Sequence, residues 1–159
     1  MKKILALTLM AVMAVTLLAG CGNALYDDFE NFLNVEMAEV NEDYVKLTTE
    51  VASWGDLEDE ELVTSSISDK LLPLIEGSLT KLETVNPETE EVKELKAKYI
   101  KVMEAYKAGF ESIYEGFMTQ DEAILIEGNE KLTEGVSLLD EYNAALEALA
   151  KEVGAEIQY

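Results

Sequence analysis

From residue 25 onward, apolar residues recur at steps of three and four, the spacing that lines one face of an α-helix. Four such stretches predict helices at about 25–54, 57–84, 87–118 and 121–153. No sustained alternation of apolar and polar residues competes with them, so we predict an all-α fold. The apolar face of the first helix consists of Tyr26, Phe29, Leu33, Met37, Val40, Tyr44, Leu47, Val51 and Trp54.

Residues typical of helix ends separate the first two stretches. Gly55 suits the position after a helix, where a positive φ is needed, and Asp56 can accept hydrogen bonds from the first turn of the next helix. Pro73 lies inside the second stretch and lacks a backbone donor, so we expect a kink or break there. The apolar positions around it are Val63, Ile67, Leu71, Leu74 or Ile75, Leu79 and Leu82.

The later helix ends carry similar signals. Asn86-Pro87 predicts a stop followed by a new start, with asparagine as the N-cap and proline at the first helical position. Thr119 and Glu122 match the T-x-x-E capping box, and Gly154 is expected to end the last helix. Because all three joints are short, neighbouring helices should run antiparallel, which predicts an up-down-up-down four-helix bundle. The alternative is a three-helix arrangement with an irregular segment around Pro73.

Glycines repeat at seven-residue intervals inside the third and fourth helices: Gly109 and Gly116, then Gly128 and Gly135. A glycine inside a helix costs about 1 kcal/mol relative to alanine, so these positions need a reason. Either the two backbones approach closely there or a space remains for a ligand. We favour close approach, because voids in a core are costly.

Residues 1–20 have the features of a cleaved signal peptide: Lys2 and Lys3, then an apolar run too short for a comfortable membrane span. Leu18, Ala19, Gly20 and Cys21 follow, which resembles the lipobox of bacterial lipoproteins. The resemblance implies that signal peptidase II cuts before Cys21 and that the Cys21 sulfur carries a diacylglycerol. Residues 21–24 would then be the lipidated cysteine and a short tether, and residues 25–159 the folded domain. We therefore expect an extracytoplasmic protein anchored to the membrane.

Charge and composition exclude several functions. The chain has 12 basic residues, all lysine, against 33 acidic ones and no histidine, for a net charge of −21. Without Lys2 and Lys3 the mature chain carries −23, which disfavours nucleic acid and favours a partner with a basic surface. The absence of histidine rules out Ser-His and Cys-His nucleophile pairs and histidine metal ligands. We predict no catalytic residues, no metal site and no cofactor.

The second half of the chain resembles small helical-bundle lipoproteins of Gram-positive bacteria, a group to which no activity is assigned. Such relatives often carry a histidine ahead of the tyrosine at the position of Tyr99, and this chain does not. The resemblance implies a helical bundle in a Gram-positive envelope and adds no mechanism. It rests on Asn86-Pro87-Glu88, Val92-Lys93-Glu94-Leu95, Tyr99, Asp121, Asn129, Tyr142, Leu146, Leu149 and Gly154-Ala155-Glu156-Ile157.

These observations favour a membrane-anchored, non-enzymatic interaction module of the cell envelope. The alternative is a lipoprotein that binds a small ligand between the third and fourth helices, or a divalent cation at the acidic run 56–61. In the bundle topology, this run and Trp54 lie at the end remote from the lipid. Our candidate contacts for a partner or cation are Trp54, Asp56, Glu58, Asp59, Glu60 and Glu61.

Overall fold

The computed structural model describes residues 14–16, 23–54 and 59–158. These residues are almost wholly helical, which confirms the predicted all-α class. The signal-peptide and lipidation residues Leu18, Ala19, Gly20 and Cys21 lie outside the described part of the chain, as do Gly55, Asp56 and Glu58. The α-helices are α1 (Ala24–Asn31), α2 (Ala38–Ser53), α3 (Glu60–Ser66), α4 (Leu72–Thr84), α5 (Glu90–Thr119) and α6 (Glu122–Val153).

The predicted first helix is a single helical run with one irregularity, because a π-helical turn, Phe32–Glu36, joins α1 to α2. The Met37 amide donates to the Phe32 carbonyl at 2.9 Å, five residues back instead of four. A π turn adds one residue to the helix without ending it. The run therefore keeps one buried face along its whole length.

The run around Pro73 also stays helical, so the break that we expected there does not occur. Pro73 lies in the first turn of α4, where a missing backbone donor is tolerated. A second π turn, Ile67–Leu71, precedes it, and the Leu72 amide donates to the Ile67 carbonyl. The altered hydrogen-bond spacing accommodates the proline within a continuous run.

Two predicted helix starts differ from the structure. Helix α5 begins at Glu90, three residues after Pro87, and its N-cap residue is Thr89 instead of Asn86. Helix α3 begins at Glu60, and the Asp59 carboxylate accepts from the amides of its first turn.

The predicted capping box at the last joint is wrong. Thr119 is the final residue of α5, and its hydroxyl donates to the Glu115 carbonyl at 2.7 Å. Asp121 is the N-cap of α6 and accepts from the Ala123 amide at 2.8 Å. At the other end of α6, Gly154 has a φ of 77°, which confirms its predicted role as the helix terminator.

Gln120 is the residue that turns the chain between α5 and α6, and its φ is 55°. Left-handed backbone is unfavourable for a residue with a Cβ and nearly free for glycine. We expect Gln120→Gly to raise the free energy of unfolding by about 0.5–1 kcal/mol, measured by urea denaturation. Thr119, the exposed last residue of α5, has helical backbone and no such strain, so Thr119→Gly should instead destabilise the protein.

All nine predicted core positions of the first run are buried, as are most of those on α5. Leu74 and Ile75 were alternatives for one core position of α4. Ile75 is the buried one, and Leu74 is only partly buried. Along α6 the positions nearest both ends, Leu125 and Val153, are partly buried. The apolar pattern therefore identified the inner faces of the helices, although Val136, in the middle of α6, is also only partly buried.

Helices α5 and α6 run antiparallel along their whole contact. Tyr99 contacts Tyr142 near one end, and Gly109 faces Leu132 further along. Gly116 faces Leu125 near the joint. The first helical run, made of α1 and α2, is likewise antiparallel to the second, made of α3 and α4. Three side-chain hydrogen bonds join the two runs: Asp43 with Lys81, Glu50 with Lys70, and Trp54 with Ser66.

Two short strands complete the described structure. β1 (Ala14–Thr16) pairs antiparallel with β2 (Glu156–Gln158), and Val15 is opposite Ile157. β1 belongs to the segment that the sequence predicts to be removed. β2 follows α6 directly after Gly154 and Ala155.

Candidate functional site

The sequence pointed to Trp54 and the acidic run 56–61 as the candidate contact. We give the name Trp54 end to the described residues at this end of the molecule, which are Trp54, residues 59–66 and residues 115–126. Trp54 itself is buried, with 4% of its surface exposed. Its ring packs edge-on against Phe110 at 6.1 Å, and its Nε1 donates to the Ser66 hydroxyl at 2.9 Å. Trp54 therefore holds α2 against α3 and α5, and it offers no exposed ring to a partner.

The described acidic residues of the predicted contact, Asp59, Glu60 and Glu61, are all exposed. One Asp59 oxygen accepts from the amides of Glu61 and Leu62 at 3.1 and 3.2 Å. Carboxylates in this position stabilise a helix start by capping it and by opposing its dipole. Among the described residues, no three carboxylates or cysteines lie close enough together to hold a metal ion.

Three large apolar side chains are also exposed at the Trp54 end. Leu62 is 49% exposed at the start of α3, Met118 is 63% exposed at the end of α5, and Ile126 is 47% exposed near the start of α6. Exposed apolar side chains rimmed by charge are typical of contact surfaces. The periodicity could not identify these three residues, because each lies off the buried face of its helix.

A depression of about 260 Å³ opens beside this surface, between the end of α2 and the segment made of α3 and the π turn Ile67–Leu71. Its lining combines two carboxylates, three serines and an ammonium group with one apolar side chain and the indole. The lining residues are Glu50, Ser53, Trp54, Leu62, Ser65, Ser66, Asp69 and Lys70.

A short chain of hydrogen bonds fixes the orientation of several side chains in this depression. Ser66 receives the Trp54 N–H and donates its own proton to Glu50 Oε1 at 2.7 Å. Lys70 Nζ lies 2.8 Å from the same oxygen. Hydrogen bonds from Lys70 and Ser66 hold the pKa of Glu50 below its ordinary value, so this carboxylate stays ionised. Spacing along one helix could not reveal this network, because its members lie on two helical runs.

Two further carboxylates are buried, and neither was predicted. Asp43 accepts from Lys46, Lys81 and Ser78 at 2.9, 2.6 and 3.3 Å. Burial raises its pKa, but the lysine hydrogen bonds and charges outweigh burial and leave the pKa below its ordinary value. This carboxylate joins α2 to α4, and its ionised form is the one that the fold stabilises.

Asp28 is the second buried carboxylate, and it lies where α1 meets the start of α5. Its two oxygens accept from the amides of Glu88 and Thr89 at 2.9 and 2.8 Å, and also from the Thr89 hydroxyl. Burial raises its pKa, while the three hydrogen bonds lower it further than burial raises it. Asp28 therefore holds the segment immediately before α5, from a distant part of the chain.

Four tyrosines meet in the core. Tyr44 lies 6.5 Å from both Tyr99 and Tyr106, measured between ring centroids, and Tyr99 lies 5.0 Å from Tyr142. Burial raises the pKa of Tyr99, Tyr106 and Tyr142 well above the ordinary tyrosine value, so these hydroxyls stay protonated. None of them is poised for acid–base chemistry near neutral pH.

The Tyr99 hydroxyl has no hydrogen-bond partner among the described residues. A buried hydroxyl without a partner costs about 1–3 kcal/mol, so we expect Tyr99→Phe to raise the free energy of unfolding by about 1 kcal/mol. Urea denaturation measures this, with the partly exposed Tyr114→Phe as the matched control that changes little. A loss of stability in Tyr99→Phe would mean that ordered water bonds to the hydroxyl.

The interface between α5 and α6 was the predicted alternative site for a small ligand. A Cβ added to Gly109, Gly116, Gly128 or Gly135 would lie 2.6–2.8 Å from a side chain of the opposite helix. The glycines therefore allow the helices to approach closely, as predicted, and large side chains fill the space that they leave. This arrangement does not favour a ligand between the two helices.

The basic residues of the folded domain are largely occupied by ion pairs. Six of the ten lysines lie within 4 Å of a carboxylate: Lys46, Lys70, Lys81, Lys93, Lys107 and Lys131. Because acidic residues are about three times as numerous as the lysines of this domain, the lysines can neutralise only a minority of the negative charge. The surface potential is therefore negative over most of the molecule.

The chain matches no protein-family model, no curated protein and no solved structure. Within the described ranges, no helix is both long enough and apolar enough to span a membrane. The function must accordingly be argued from the geometry and charge given above.

Proposed function

We propose that this chain is a lipid-anchored, non-enzymatic interaction module of the Gram-positive cell envelope, whose acidic Trp54 end binds a protein partner with a basic surface. The observation that carries the proposal is that this end exposes three carboxylates, Asp59, Glu60 and Glu61, and three large apolar side chains, Leu62, Met118 and Ile126. Carboxylates around apolar side chains complement a basic surface with an apolar centre.

The proposed anchor is a diacylglycerol on the Cys21 sulfur, with residues 1–20 removed by cleavage before that cysteine. Two acyl chains suffice for stable attachment to the outer leaflet of the membrane. Helix α1 begins at Ala24, so the domain would lie close to the bilayer. Cys21→Ser should abolish membrane retention, checked by fractionation; retention of the serine variant would contradict the anchor.

The fold that we propose for the domain is the up-down-up-down four-helix bundle, made of the α1–α2 run, the α3–α4 run, α5 and α6. The antiparallel contacts of successive runs support it. The contact of Asp28 with Glu88 and Thr89 supports a lipid-proximal start of α5. With 30 residues in α5, the Trp54 end would then lie about 45 Å further from the membrane.

Site-specific photo-crosslinking tests the partner proposal. A photoreactive amino acid replaces Leu62 in the lipidated chain, in intact cells. We expect a crosslinked partner, a lower yield in Glu60→Gln/Glu61→Gln, and a lower yield at high salt because charge attraction is screened. The matched control is Glu90→Gln/Glu91→Gln, which removes the same charge from the first turn of α5. Equal effects of the two double variants, or no effect of either, would refute the proposal.

A further inference from the structure

The depression at the Trp54 end differs from the acidic surface around it, because it contains a carboxylate that is held in place from two sides. Ser66 is buried and holds Glu50 from the protein side. Lys70 holds the same oxygen from the solvent side. The Glu50 side chain is 22% exposed and the Lys70 side chain is 63% exposed, so the ammonium group is the removable member of the network.

Removal of Lys70 would leave Glu50 aimed at the depression. Its orientation is fixed by Ser66, which is fixed in turn by the indole N–H of Trp54. The depression also presents hydroxyl oxygens from Ser53 and Ser65, and the carboxylate of Asp69. A ligand with several N–H donors and one positive charge matches these acceptors better than any other class of ligand.

We propose that this depression binds the guanidinium group of an arginine side chain on the basic partner, which takes the place of the Lys70 ammonium on Glu50. A guanidinium group carries five donors in a plane and can bond a carboxylate through two of them, while the others reach hydroxyl oxygens. Since Glu50 stays paired before and after the exchange, no bare carboxylate is created. This chain contains no arginine, so such a group must come from another molecule. The inference rests on the proposed function and names the part of the partner that is recognised.

Trp54 reports on the site directly, because it is the only tryptophan of the chain and lines the depression. The whole chain, purified in non-ionic detergent, is titrated with the blocked peptide Gly-Arg-Gly at constant ionic strength, and tryptophan fluorescence is recorded. We expect a saturable change with this peptide, a weaker one with Gly-Lys-Gly and none with Gly-Glu-Gly. The same response to all three peptides would overturn the proposal.

Two variants sharpen the test. Lys70→Met removes the internal competitor and should tighten Gly-Arg-Gly binding about tenfold, whereas Glu50→Gln keeps an acceptor for Ser66 and should weaken it about tenfold or more. Lys93→Met is the matched control, since it removes an exposed lysine from another ion pair and should change nothing. Unchanged or weaker binding in Lys70→Met refutes the inference. If Glu50→Gln still crosslinks its partner through position 62, the proposed function stands and only this arginine site fails.

Discussion

Gly128→Ala is expected to lower the free energy of unfolding by about 3 kcal/mol and the melting temperature by roughly 8 °C. The added Cβ would lie 2.7 Å from a side-chain carbon of Ile113, 2.9 Å from its amide nitrogen and 3.0 Å from the Gly109 carbonyl oxygen. Two of these atoms belong to the backbone of α5, so no rotamer change relieves the contact. The helices must separate, which exposes the most tightly packed part of the core.

Gly77→Ala is the matched control for this prediction. Gly77 also lies inside a helix, α4, but no atom is within 4 Å of the Cβ that alanine would add. The higher helix propensity of alanine should therefore raise stability by up to about 1 kcal/mol. Urea denaturation of both variants measures the two effects. If both variants shift stability in the same direction, close approach of α5 and α6 is not the reason for the glycine at position 128.

Asp28→Ala is expected to lower the free energy of unfolding by about 2–3 kcal/mol at pH 7. The substitution removes three hydrogen bonds to a charged acceptor. The amides of Glu88 and Thr89, just before α5, then lose their acceptor. The control is Asp27→Ala, which removes an exposed carboxylate of the same charge from the same helix turn. A loss in Asp27→Ala as large as that in Asp28→Ala would show that general charge, and not these hydrogen bonds, is responsible.

The pH dependence of the stability difference between the wild-type chain and Asp28→Asn measures the contribution of the Asp28 charge. The pKa of Asp28 is lower in the folded protein than its ordinary value. Such a group stabilises the fold fully above the pKa of the unfolded chain, about 4, and this stabilisation is lost as the pH falls through the folded pKa. The stability difference between the wild-type chain and Asp28→Asn should therefore be constant near pH 7 and shrink below about pH 4. A difference that persists unchanged at pH 2 would contradict the role of the charge.

The sequence was sufficient to predict which residues form the core. A helical face needs only regular spacing, and the first run buries every one of its predicted positions, from Tyr26 to Trp54. The glycine pairs of α5 and α6 were also interpretable, because glycine inside a helix is costly and demands a packing reason. Both predictions depend on residues that recur at regular intervals along one helix. Such a pattern can be recognised from the sequence of that helix alone.

The π turns left a weaker trace in the sequence. Strict alternation of three and four fails at Phe29, Leu33 and Met37, where two steps of four occur together, and it fails again from Val63 to Ile75. Each run of consecutive four-residue steps coincides with a π turn. For the first stretch an unbroken α-helix was nonetheless the simplest interpretation, because an apolar stripe tolerates one extra residue without losing its direction.

The candidate site was predicted poorly, for a physical reason. Trp54 was predicted both as the last core position of the first helix and as a candidate contact. The structure places it in the core, where its indole N–H donates to Ser66, twelve residues away. Asp28 reaches amides sixty residues further along the chain. Contacts between distant segments depend on how the helices are arranged in space, and spacing along one helix contains no information about them.

The seven-residue repeat of the glycines has a consequence for how α5 and α6 are aligned. If α6 slid by one repeat, Gly116 would face Leu132 and Gly135 would face Ile113, so small residues would again oppose large ones. That translation is about 10 Å at 1.5 Å per residue, and the joint at Gln120 and Asp121 is too short to span it. The packing of glycines against large side chains would therefore be similar in both alignments of α5 and α6. The short joint allows only the observed one.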